Sequence, residues 1–125
     1  MKLPDDCHYH PEHMWVRREG DLGIVGVSDF AQSQLGDVSL VSVPEPGSSI
    51  AQGVVMGTIE STKVASDLFA PVSGEIVEIN AKLVDEPWLV NDEPYGAGWI
   101  LRVRLADAGE IGSLLDAADY HSRIA

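Results

Sequence analysis

At 125 residues, 45 per cent of them hydrophobic, the chain is long enough to bury one core and falls outside the composition of disordered acidic tails. Twenty acidic side chains against eight basic ones give a formal charge of -12, which works against nucleic acid and anionic membranes as partners, since both require lysine and arginine to replace counterions. No apolar run approaches the roughly 20 residues of a membrane-spanning helix, and "MKLPDDCHYH" lacks the apolar stretch of a secretory signal, so a single domain over residues 1–125 in the cytoplasm is expected.

Taken in chain order, the first cluster of chemical interest is "CHYHPEH". Cys7, His8, His10 and His13 are zinc-binding residue types, but structural zinc sites draw their ligands from two separated clusters. This is a single cluster near a terminus expected to be mobile, so no metal site is expected. A Cys-His hydrolase built here would also need an orienting third group and an oxyanion site, and neither is identifiable, so no catalytic residue is assigned. With only one cysteine the chain forms no internal disulfide.

"GIVGVS" (23–28) reads as a strand. "DFAQSQLG" (29–36) reads as a helix, with Asp29 placed to cap it, Gln32 three residues later and Gly36 as its stop. "VSLVSV" (38–43), "VVMGTIE" (54–60), "EIVEIN" (75–80) and "WILRVRL" (99–105) are further strands rich in β-branched residues. "PEPG" (44–47), "AQG" (51–53) and "PVSG" (71–74) supply the reversals between them. In "WILRVRL" the alternation places Trp99, Leu101, Val103 and Leu105 on one face and Arg102 and Arg104 on the other. "AGEIGSLLDAADYHS" (108–122) has Ile111, Leu114, Leu115 and Ala118 at helical spacing and predicts an amphipathic C-terminal helix. Short strands with tight turns predict a mainly β fold, a small antiparallel sandwich or flattened barrel with two helices.

"GVVMGTIES" (53–61) and "GEIVEIN" (74–80) form a faint internal echo around a bend, and that bend contains Lys63, one of only three lysines. Glu60, Ser61, Thr62, Ala65 and Ser66 beside it are small or polar. A side chain there should stand clear of the fold and open to an approaching enzyme.

"ESTKVASDLFAPVSGEIVEIN" resembles the lipoyl-attachment segment of the glycine cleavage system H-protein family. "EHMWVRREGD" resembles that family's opening strand pair, "GVSDFAQSQLGDV" its first helix region, "VNDEPYGAGWILRVRL" its late loop and strand, and "LLDAADY" its terminal helix. The resemblance implies a hammerhead-like flattened β-barrel or sandwich of the lipoyl/biotinyl-carrier type, with lipoic acid in amide linkage to Lys63 at a hairpin tip. It implies a non-catalytic carrier that shuttles an aminomethyl group and reducing equivalents on a swinging arm. The implied partners are a lipoate ligase or lipoyl transferase, a pyridoxal-phosphate glycine decarboxylase, a folate-dependent aminomethyltransferase and a dihydrolipoyl dehydrogenase. The acids Glu60 and Asp67 would help such partners recognise the tip, whereas Pro71 and Gly74 are explained as turn formers.

One residue departs from the family pattern. Family members usually show a glutamate where this chain has Met14; the resemblance associates that acid with the cleft into which the loaded arm folds, and methionine cannot pair with an ammonium group. An H-protein-like lipoate-binding protein carrying sulfur intermediates to a heterodisulfide-reductase-like complex is therefore the alternative, with a relay of lipoyl groups to other enzymes as a third. Biotin is disfavoured because Thr62 and Val64, not methionines, flank the lysine.

Overall fold

The computed structural model describes residues 1–125. The chain runs β1 (His8–Tyr9), β2 (Met14–Glu19), β3 (Leu22–Val27), α1 (Asp29–Leu35), β4 (Val38–Ser42), β5 (Ser49–Ile50), β6 (Val55–Ser61), β7 (Ala65–Phe69), β8 (Gly74–Ile79), α2 (Lys82–Asp85), α3 (Leu89–Asp92), β9 (Leu101–Leu105) and α4 (Ala117–Ile124). Two antiparallel sheets result, six strands in the order β1-β2-β3-β9-β8-β5 and three in the order β4-β6-β7. They pack as the expected flattened sandwich, without closing into a barrel.

The main core lies between the sheets and takes alternate residues from each: Val16, Val25, Ile76, Leu101 and Val103 from the larger, Met56, Ile59 and Leu68 from the smaller. Each fully buried aliphatic side chain of this kind contributes about 1.5–3 kcal/mol. A second cluster of Cys7, Tyr9, Trp15, Ile24 and Tyr120 covers the opposite face of β2 and β3. With both faces covered, β3 is buried almost throughout, which is why "LGIVGV" is apolar without alternation.

The β9 alternation is realised: Leu101 and Val103 are buried while Arg102 and Arg104 point outward to Glu78 at 2.6 Å and Glu75 at 3.5 Å on β8. Trp99 departs from it. It precedes the strand, packs against the second cluster and lies 4.4 Å from the Arg102 guanidinium, so it does not share the Leu101 face. Helix α1 is capped by Ser28, whose Oγ accepts from the Ala31 N–H at 3.1 Å. Asp29 is instead a first-turn residue accepting from Gln32 Nε2 at 2.7 Å. Gly36 ends the helix as expected, at φ 77°.

The C-terminal helix differs most from expectation. Residues Ala108–Ser113 form a 3-10 helix, and α4 begins only at Ala117. Leu115 lies between them because its backbone N–H and C=O are both bonded to Tyr9, at 2.9 and 2.7 Å, which holds it extended. The residue that α4 buries is Tyr120, while Ala118 is exposed.

The N-terminal stretch is also not free: Cys7 and Tyr9 are fully buried, and Tyr9 stacks on Tyr120 with ring centroids 4.7 Å apart. Burial, with the Asp6 carboxylate beside it, pushes the Cys7 thiol up to about 12, which leaves it a poor nucleophile or metal ligand. Two of the three histidines here are engaged elsewhere. His10 Nδ1 accepts from the Glu12 N–H and His13 Nδ1 pairs with the Tyr120 hydroxyl. No three His, Cys, Asp or Glu side chains converge as a metal site would require.

Candidate functional site

The β6–β7 hairpin is anchored in the core by Ile59 and Leu68 and rises from it toward a tip at Thr62 and Lys63. Backbone pairing continues to the last residue before the tip, with the Ser61 N–H bonded to Val64 O at 2.8 Å. The Ser61 side chain closes the turn: its Oγ accepts from the N–H groups of Lys63 at 3.3 Å and Val64 at 3.2 Å. A small hydroxyl at that position is what a tight reversal without proline or glycine requires. Lys63 is exposed, as its sequence surroundings predict.

The tip does not stand free of its surroundings. The Thr62 N–H donates to Asp37 O at 3.1 Å, and a methyl built on Gly36 would lie 3.2 Å from Lys63 Cε and 3.9 Å from its Nζ. The lysine stem thus passes over the bend between α1 and β4, at a residue with no side chain. In the sequence Gly36 reads only as a helix stop, because its neighbour across space is 27 positions away.

Beside the hairpin is a cleft of about 340 Å³ between β2, α1 and the β6–β7 hairpin. Met14, Val27, Leu35, Ile59 and Leu68 make it apolar, and Met14 is only 2 % exposed. Asp67 and Glu12 both line this cleft, whereas Glu60 does not. By register Glu60 opposes Ala65, and Thr58 opposes Asp67, so the two acids share the outward face of the hairpin. Both are exposed, and neither is in an ion pair, the two such pairs being those on β8 and β9.

His13, also on the cleft, holds an unusual backbone conformation for a residue other than glycine, φ 72°. Its Nδ1 lies 2.8 Å from the Tyr120 hydroxyl, which is 2.7 Å from the Oγ of the cap residue Ser28. Burial lowers the His13 pKa below 6.5 and the Arg123 charge adds to this, against the opposing pull of Glu12. A folded value below the unfolded one means stability that is complete above pH 6.5 and is lost as pH falls through the lowered folded value. Thermal denaturation from pH 7 to pH 5 should therefore show a falling Tm. His13→Asn, which tolerates the positive φ, should reduce the fall without removing it, because burial lowers His10 as well. An identical fall in the variant would remove His13 from this account.

A flattened two-sheet sandwich presenting one exposed lysine at a hairpin tip is the architecture of the lipoyl/biotinyl-carrier class. The family model described as glycine cleavage H-protein matches residues 7–125. A glycine cleavage system H protein of Marinobacter nauticus is 50% identical over 125 residues, covering 99% of this chain and 96% of its own. One from Symbiobacterium thermophilum is 50% identical over 118 residues, covering 94% and 92%. In three dimensions the crystal structure of a glycine cleavage system H protein from Mycobacterium marinum matches with a TM-score of 0.89 at 39% identity, covering 98% of each chain. The chain belongs to the glycine cleavage H-protein family.

Proposed function

We propose that the chain acts over its whole length, residues 1–125, as a non-catalytic lipoyl carrier of the glycine cleavage system, with lipoic acid amide-linked to Lys63. The observation that carries this reading is the exposed primary amine at the tip of a core-anchored hairpin, next to an apolar cleft. Acylation needs an unhindered amine: deprotonated Nζ attacks the acyl carbon of an activated lipoyl donor, the C–N bond forms, and the donor's leaving group departs with its electron pair. Starting from the ammonium, two protons pass to solvent. Once attached, lipoate supplies a disulfide ring able to accept an aminomethyl unit and, as a dithiol, to hand on reducing equivalents.

The protein's own residues hold and exclude. Conversion of an ammonium to a neutral amide removes the charge that would resist burial, so the apolar walls of the cleft suit a hydrocarbon chain folding back from the tip. Glu60 and Asp67, unpaired on the outward face, suit recognition by basic surfaces of the lipoate ligase or lipoyl transferase and of the three glycine-cleavage enzymes, the pyridoxal-phosphate decarboxylase, the folate-dependent aminomethyltransferase and dihydrolipoyl dehydrogenase.

A second reading is favoured by Met14. Its thioether, buried in the cleft, cannot pair with a protonated aminomethyl group, which leaves Glu12 and Asp67 as the carboxylates lining the cleft and keeps a sulfur cargo passed to a heterodisulfide-reductase-like complex as the alternative. Reconstitution of the lipoylated protein with the pyridoxal-phosphate glycine decarboxylase separates the two. Glycine-dependent exchange of carbon dioxide is expected at a rate comparable to that of an authentic H protein. No exchange, with the control active, would transfer the assignment to sulfur transport.

A further inference from the structure

We propose that Gly36 and Asn91 are positioning residues that form a bed under Lys63 and present its amine to the acylating enzyme; this rests on Lys63 being the acylated residue. Gly36 combines φ 77° with ψ -157°, a conformation essentially restricted to glycine, and the absence of a Cβ there leaves the space that the Lys63 stem crosses. Any L side chain at this position would meet the stem at Cε and strain the backbone at once.

Asn91, on α3, holds this bend in place from a position 55 residues away in sequence. Its Nδ2 donates to Gly36 O at 2.7 Å and to Gln32 Oε1 at 3.1 Å, while its Oδ1 accepts from the Val38 N–H at 2.9 Å. One amide therefore satisfies the last turn of α1, the glycine and the first residue of β4. The next carbonyl after Gly36, that of Asp37, accepts from the Thr62 N–H at the hairpin tip. Asn91, Gly36, Asp37, Thr62 and Lys63 form a continuous chain of contacts from a half-buried amide to the exposed amine.

The chemistry gives this arrangement a use. A lysine has four rotatable side-chain bonds, and an enzyme that binds it must order them. Pre-ordering of the stem over Gly36 removes part of that cost before encounter, an effect that enters binding and leaves the acyl-transfer step itself unchanged. Loss of the bed should therefore raise KM for the carrier by about 3- to 10-fold, the range expected for ordering one long side chain, with kcat preserved.

The experiment compares lipoylation kinetics of the unmodified parent protein, Asn91→Ala and the isosteric Asn91→Asp with a lipoate ligase, ATP and lipoate. The carboxylate keeps the acceptor for Val38 but loses both donated bonds. Two-dimensional NMR of the same samples reports folding and the Gly36 Hα to Lys63 Hε Overhauser contact. Expected are a folded protein, loss of that contact and the KM rise in whichever variant is folded at the assay temperature. Unchanged kinetic constants in a folded variant, or a kcat that falls in step with the folded fraction at constant KM, would reduce Asn91 to a purely structural residue and overturn the proposal. Should the parent protein itself gain no lipoyl group on Lys63, the functional reading fails, and that outcome is separately visible by mass spectrometry.

Discussion

Lys63→Ala is expected to eliminate loading with lipoate altogether and to leave the fold intact. The amine is the only nucleophile at the hairpin tip, where its neighbours Thr62 and Val64 have none of comparable strength, so no partial activity should survive. Stability should change by less than about 0.5 kcal/mol, because the removed atoms are exposed and form no ion pair. Lys63→Arg provides the charge control: it keeps a cation over the Gly36 bend but has no acylatable amine, and it should be equally unloaded. Intact mass after incubation with ligase and a thermal melt check both halves of the prediction. Residual loading of the arginine variant would mean that Lys2 or Lys82 is an acceptor, and a cooperative fold lost with Lys63 would mean that the tip is part of the core.

Trp15→Ala should have the largest effect on stability, about 3–5 kcal/mol, out of the 5–15 kcal/mol typical of a domain. Trp15 is fully buried, its ring covers Gly26 on the neighbouring strand so closely that a methyl there would lie 2.7 Å from it, and its Nε1 donates to Pro94 O at 3.0 Å. The Arg17 guanidinium lies 5.0 Å from the ring. Removal would leave a cavity, an unpaired Pro94 carbonyl and an uncovered guanidinium together. The midpoint of urea denaturation should fall steeply with little change in slope. A loss below about 1 kcal/mol would show that the second cluster contributes little to folding.

Much of this architecture is legible without coordinates, and the reasons are physical. β8 and β9 announce themselves because each has one face in the core and one in water, so Ile76, Leu101 and Val103 alternate with Glu75, Arg102 and Arg104. The Lys63 bend is equally readable, because small polar residues isolate a rare cation. β7, "ASDLF", is hidden: only Leu68 is buried, and its strand character comes from pairing with β6. β1 has two residues and exists because Leu115 and β2 flank it. The helical spacing around Ile111 and Leu115 misleads for the same reason, since the Tyr9 backbone captures Leu115 before a helix can pass through it.

The site divides along the same line. Lys63, Glu60 and Asp67 lie within a short stretch and can be picked out from it; the hairpin register keeps both acids on one outward face, and of the two only Asp67 also lines the cleft. Gly36 and Asn91 cannot be found that way, because what distinguishes them is contact across 27 and 55 positions with the hairpin tip and the helix end. Met14 is noticed in sequence as a departure and acquires its physical meaning, a buried thioether in the cleft lining, only once its burial is known.

The central claim is that one amine, at residue 63, bears the lipoyl group. Intact-mass and peptide-mapping analysis of the protein isolated from cells with a functional lipoate ligase tests it directly. The account predicts a single lipoyl adduct on the peptide containing Lys63, gaining two hydrogens on mild reduction. A bare Lys63 throughout, or an adduct of biotin mass or on Lys2 or Lys82, would contradict it.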